Sequence, residues 1–281
     1  MRSTLIRLPV LVLLTLPAPS FASDGVLEIN QTCAVQTGCF AGDTAGYPVT
    51  ITVTGSYRLT SNLPRSTLLG GSLNEHTIAI SADGVTLDLG GFQISCAVIL
   101  GGGRTCSGTG SGVNDSISTS GTSVKNGTIS GMGADGLSLE AQSEVQNIRA
   151  RRNGNRGISV NFGSTATGNT VYENGGIGID GGAGSTISGN TSYFNVGDGI
   201  FADPGSTVSS NTAYANQGTG INARSGSNVQ GNTVRGNGGY GLDIDATTGY
   251  RENVITLNQT GTVNGGVNMG ANSCGGTTGC P

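Results

Sequence analysis

The sequence predicts an all-β protein, a parallel β-solenoid of about eight coils. Three observations carry this. The C-terminal half repeats with a strict period of 21 residues, and a period in this range marks a stacked repeat architecture. Within each block, apolar or small residues alternate with polar ones, as a strand with one buried face requires. Gly supplies 51 of 281 residues, and at roughly 1 kcal/mol per helical position relative to Ala this excludes long helices. A 21-residue block is too short for a four-stranded propeller blade or a helix pair, so single coils remain.

Residues 1–22 read as a signal peptide. Arg2 and Arg7 precede the apolar run Leu8 to Leu16, and Ser20-Phe21-Ala22 places small residues at a cleavage site. Removal leaves 11 basic against 17 acidic groups, a balance that argues against nucleic acid as partner. No other stretch has the roughly 20 apolar residues that span a bilayer. The mature chain is therefore expected outside the cytoplasm, in the periplasm, at the cell surface or in the medium.

Residues 23–75 are assigned to N-terminal strands and a cap, 76–260 to coils, and 261–281 to a stapled tail. Export makes the six Cys read as disulfides. Cys33 and Cys39, Cys96 and Cys106, and Cys274 and Cys280 are neighbours in sequence, and local pairing is preferred among the connectivities available. The two CxxxxxC segments lie near the ends of the mature chain, where a solenoid must protect open strand edges.

The first coils are irregular. His76-Thr77-Ile78-Ala79-Ile80, Gly84 to Leu89 and Ser123 to Ile129 alternate like strands, with an insert at Gly101 to Gly112. The array then becomes strict. Gly136, Gly157, Gly178, Gly199, Gly220 and Gly241 each precede Leu or Ile. Asn fills one column from Asn153 through Asn174, Asn195, Asn216 and Asn237 to Asn258, and another at Asn169, Asn190, Asn211, Asn232 and Asn253. Asn suits corners because it tolerates the left-handed conformation and stacked amides can bond one another. Coils stacked at about 4.8 Å give an axis of about 40 Å.

On Pro48-Val49-Thr50-Ile51, Gly55-Ser56-Tyr57-Arg58-Leu59, Ala82 to Phe92, Asn126-Gly127-Thr128-Ile129-Ser130-Gly131 and the array, the chain resembles the exported right-handed parallel β-helix proteins of the pectin-lyase-like superfamily. The resemblance covers nearly the whole mature chain and implies a single-stranded right-handed parallel β-helix. That superfamily holds polysaccharide lyases, glycoside hydrolases, epimerases and non-catalytic surface proteins, so the fold leaves the chemistry open.

Function is expected on outward columns. One reads Arg151, Tyr172, Tyr193, Tyr214, Arg235, beside Arg149, Thr170, Thr191, Thr212 and Thr233. Three Tyr bounded by Arg predict a flat aromatic strip about 20 Å long. Aromatic faces stack on sugars and Arg holds carboxylate or sulfate, so the leading expectation is polysaccharide binding. The bland alternative is a stabilising ladder in a structural or adhesive protein.

A second face carries Ser159, Asp180, Phe201, Asn222 and Asp243 and, two residues on, Asn161, Gly182, Asp203, Arg224 and Asp245. The lyases that the chain resembles abstract a proton beside a uronate carboxylate with Arg or Lys, often with Ca²⁺ held by Asp. Carried over, this makes Arg224 the base and Asp203, Asp243 and Asp245 its acidic surroundings, with Ca²⁺ optional and no cofactor required. Asp243 and Asp245 lie about 7 Å apart along one strand, a separation that would also suit a hydrolase, but the motifs of the pectin hydrolases are absent. Lys125 has Gln146 one coil later rather than an acid. Gly175 to Asp180 and Gly238 to Asp243 imitate a calcium nonapeptide without its nine-residue repeat, and read as turn glycines.

Overall fold

The computed structural model describes residues 25–65, 74–96, 106, 108–116, 118–275 and 280–281. The signal-peptide reading and half of the insert, residues 101–105 and 107, lie outside these residues. The chain winds as a right-handed parallel β-solenoid, and every strand pairing is parallel between successive coils, as Ile158↔Ile179 and Val171↔Ser192 show. Among the described residues one sheet has ten strands and the other nineteen.

Three outer faces result. Face 1 is the ten-stranded sheet and includes Ile158–Val160, Ile179–Gly181, Ile200–Ala202 and Ile221–Ala223. Face 2 runs through Thr165–Thr167, Thr186–Ser188 and Thr207–Ser209. Face 3 runs through Thr170–Tyr172, Thr191–Tyr193 and Thr212–Tyr214. Faces 2 and 3 form one sheet because Ser123–Ser130 and Glu144–Arg151 run unbroken around the corner. The stacking also takes in Leu27–Ile29, paired with Ser56–Leu59, and Gly261–Asn264, paired with Tyr240–Ile244, so the solenoid extends on both sides of residues 76–260.

The alternation read from sequence sets the core. Ile158, Ile179, Ile200 and Ile221 point in from face 1, Ala166, Ile187, Val208 and Val229 from face 2, and Val171, Ser192, Ala213 and Val234 from face 3, all fully buried. The Gly column keeps face 1 close to face 3. A Cβ at Gly178 would lie 2.1 Å from Ser192 Oγ and 2.5 Å from the Gly199 carbonyl oxygen, so only Gly fits.

Both Asn columns form ladders, buried except at Asn258. Asn174 donates from Nδ2 to Asn195 Oδ1 at 2.9 Å and to the Ala150 carbonyl at 3.2 Å, while its backbone N–H reaches the same Oδ1 at 3.1 Å. Asn169, Asn190 and Asn211 repeat the pattern at the preceding corner. The amide bonding matches expectation, but the left-handed conformation belongs to the residue before each Asn: Glu173, Phe194 and Ala215 have φ of 56°, 56° and 51°. The left-handed residue turns the chain and aims the next amide inward. A Ser ladder at the third corner, Ser143 to Ser164 to Ser185 to Ser206, links backbone N–H to the next Oγ at 3.0–3.3 Å.

The three disulfides pair locally, Cys33 with Cys39, Cys96 with Cys106 and Cys274 with Cys280. At the N-terminal end a π-helical turn, Cys33–Thr37, buries Ala34 completely, and Phe40 meets Tyr57 edge-on at 5.2 Å. At the other end the Tyr250 hydroxyl donates to the Pro281 carbonyl. Among the described residues no helix is long and apolar enough to cross a membrane.

Candidate functional site

Face 3 brings the aromatic column together in register: Arg151↔Tyr172, Tyr172↔Tyr193, Tyr193↔Tyr214 and Tyr214↔Arg235. Each residue points outward because its strand neighbour, from Ala150 through Val171 to Val234, fills the core.

The rings do not form a flat strip. Tyr172 and Tyr193 stack face to face, 4.8 Å between centroids and 6° between planes, so they cover one another and show solvent their edges and hydroxyls. Phe194 follows at the corner. It is 49% exposed and lies edge-on to Tyr193 at 5.3 Å and to Tyr214 at 5.7 Å. The surface is therefore four rings, and Phe194 falls in a column of unlike residues, Arg152, Glu173, Ala215, Gly236 and Leu257, that gives no sequence signal. Burial pushes the Tyr193 hydroxyl pKa up, helped by Tyr172 and Glu173 and opposed by Arg149.

Beside the rings lies a depression of about 310 Å³, lined by Gly91, Thr128, Asn147, Arg149, Gly168 and Thr170 among others. Thr128, Arg149 and Thr170 are consecutive in the neighbouring outward column. Among the described residues no carboxylate lies within ion-pair distance of Arg149, Arg151 or Arg235. The Arg151 Nε is also buried without a hydrogen-bond partner.

Face 1 holds a second depression of about 260 Å³, lined by Ser138, Glu140, Arg156, Ser159, Asn161, Asp180 and Asp203 with their neighbours. Arg156 Nε lies 3.0 Å from Asp180 Oδ2. Burial raises the Asp180 pKa, which Arg156 opposes and Asp203 reinforces. Asp135, one coil before Arg156, is also raised by burial, and its Oδ1 accepts the Arg156 backbone N–H at 2.8 Å.

Of the four acid–base candidates, Arg224 and Asp245 stay together while Asp203 and Asp243 have other surroundings. Asp203 lines this depression. Arg224 lies 3.8 Å from Asp245 and 5.2 Å over the Phe201 ring. Asp245 also accepts from Ser225 N–H and hydroxyl, at 3.0 and 2.7 Å, and Asp243 accepts from Asn264 Nδ2 at 2.8 Å. Arg156 went unnoticed in the sequence although it stands just before the Gly157 column. Among the described residues no three His, Cys, Asp or Glu side chains gather as a metal site.

Comparison with known proteins gives the fold a family. The profile described as "Right handed beta helix region" matches residues 111–260. Curated protein sequences yield no match. Among solved structures, the Azotobacter vinelandii mannuronan C-5 epimerase AlgE4 A-module aligns at 13% identity and TM-score 0.60, covering 85% of this chain and 70% of the other. The AlgE6 A-module from the same organism aligns at 15% identity and TM-score 0.51, covering 92% and 89%. A variant of the periplasmic alginate epimerase AlgG gives 15% identity and TM-score 0.54, covering 88% and 72%. At such identities the likeness is one of fold. With more than half its length matched by the profile, the chain belongs to the right-handed β-helix family.

Proposed function

We propose that the protein is exported and binds polysaccharide through face 3. The carrying observation is the four-ring surface of Tyr172, Tyr193, Phe194 and Tyr214, set between arginines that have no acidic partner among the described residues. Phenol hydroxyls hydrogen-bond sugar hydroxyls, and the exposed Phe194 and Tyr214 rings offer apolar surface to sugar C–H groups. Solved structures of the same fold named as mannuronan and alginate epimerases support a sugar polymer as the ligand class. The disulfides and the N-terminal segment support export.

The test is affinity electrophoresis of the mature protein on a panel of polysaccharides, with a Phe194→Ala/Tyr214→Ala variant. We expect a loss of at least about tenfold in affinity with little change in melting temperature, because both side chains are more than 40% exposed. Unchanged affinity would leave these rings a structural ladder.

A second reading is a lyase cleaving uronate-containing chains from face 1, with Arg224, Asp203, Asp243, Asp245 and an optional Ca²⁺. It draws on the depression lined by Asp203 and by Asp180, a carboxyl whose raised pKa suits proton transfer. Ultraviolet absorbance of unsaturated uronate products, lost in Arg224→Ala, would establish it. A purely structural or adhesive role needs neither face.

A further inference from the structure

We propose that the depression beside the rings is a subsite for the anionic group of an acidic polysaccharide, a carboxylate or sulfate ester held by Arg149 between the Thr128 and Thr170 hydroxyls. This rests on the reading of face 3 as a sugar-binding surface and names the chemistry that it selects.

Charge distribution is the first ground. The chain is acidic, with 17 acidic residues against 13 basic, yet the two outward columns of face 3 contain no Asp or Glu from Gln93 to Thr256. Their charged members are Arg149, Arg151 and Arg235. Corner residues differ: Glu173 at the edge is engaged by Arg152 at 2.5 Å. A basic face on an acidic protein complements a polyanion.

The shape is the second ground. At about 310 Å³ the depression reaches the lower end of the roughly 300–1,000 Å³ of small-ligand clefts. Glycines keep it open: Gly91 has φ of 82° and Gly168 of 67°, and a Cβ on Gly168 would stand 3.0 Å from Asn147 Oδ1. Arg149 is exposed, and Thr128 and Thr170 flank it in register. A planar guanidinium pairs bidentately with a carboxylate or sulfate, and hydroxyls about 4.8 Å to either side can bond the same sugar. The aromatic column begins two residues away, so a chain lying over the rings can seat an acid group here.

The experiment titrates the mature protein by calorimetry with dextran, dextran sulfate and polygalacturonate, at low salt and at about 0.3 M salt, where exposed charges are screened. Expected are binding of one or both acidic polymers but not dextran, weakening at high salt, and a loss of about tenfold or more in Arg149→Gln. Arg149→Lys should recover part of the loss, and Arg58→Gln on face 2 should leave affinity unchanged. The two acidic polymers separate carboxylate from sulfate. Binding of dextran as tightly as the acidic polymers, or full affinity in Arg149→Gln, overturns the subsite and leaves sugar binding by face 3 intact. Binding of no polymer overturns both. Salt-sensitive self-association abolished by Arg149→Gln also overturns it, since the occupant would then be a second copy of this chain.

Discussion

Faces 1 and 3 are built by the same rule and answer it differently. Parallel in-register stacking sets equivalent side chains about 4.8 Å apart, so each outward column must tolerate its own repetition. Face 1 pairs most of its charges within itself. Asp180 meets Arg156, Asp245 meets Arg224, Asp243 takes an amide from Asn264, and Glu140 takes one from Asn161. Face 3 sets Arg151 and Arg235 at the two ends of one column and fills the interval with rings. A face that satisfies its charges internally has little left for a ligand, whereas one that leaves cations unpaired is poised for an anion.

The largest effect should come from removing what both faces share. Asn195 belongs to the corner between face 3 and face 1. Its Oδ1 accepts two bonds from Asn174, and its Nδ2 donates to Asn216, to the Val171 carbonyl and to Ser192 Oγ. Asn195→Ala leaves several of these buried groups unpaired. The expected loss is about 3–5 kcal/mol, read as the shift in urea midpoint, with ligand affinity falling only as the folded fraction falls.

How much of this was legible follows from which side chains repeat. The Asn, Gly and inward Ile columns recur every 21 residues, so fold, core and ladders could be read directly. The left-handed position could not, because Glu173, Phe194 and Ala215 share a conformation and no chemistry. The Ser164, Ser185, Ser206 column had the same period as the Asn ladders and could have been found. Ring orientation is a property of rotamers, so the sequence suggested a flat strip where the structure has a closed Tyr172–Tyr193 stack and an exposed Phe194. On face 1 the expected partners sit on adjacent coils, but Asp203 turns to the depression while Arg224 leans over Phe201.

A second effect sharpens the contrast, because face 1 carries acidity inward as well. Asp115 stands in register with Ile80 at an inward position, 3% exposed, and its Oδ1 accepts the Glu140 N–H. Burial pushes its pKa from 3.8 to about 6, against the pull of the Glu140 N–H. A raised carboxyl pKa means that the folded state holds the proton more tightly. The stability it contributes is complete below about pH 4 and is lost as pH rises through about 6. Asp115→Asn should therefore stabilise the protein at pH 8 by on the order of 2–3 kcal/mol and give no gain at pH 4. Equal melting-temperature shifts at both pH values would contradict this.

A smaller effect separates scaffold from ligand surface within face 3. Tyr193→Ala removes the stack on Tyr172 and the edge contact with Phe194, which should cost about 1 kcal/mol of stability. It should also weaken sugar binding, so Tyr193 moves both measurements where Phe194 moves affinity alone.

The smallest effect tests whether face 1 really spends its charges on itself. Arg224 and Asp245 are 45% and 39% exposed and 3.8 Å apart, a pair that water and salt screen well. Asp245 also keeps its Ser225 bonds when Arg224 is lost. Arg224→Ala should therefore change stability by less than about 0.5 kcal/mol and leave affinity for acidic polymers on face 3 untouched. A large fall in that affinity would mean that the polymer reaches around the solenoid to face 1, and the division of labour between the two faces would fail.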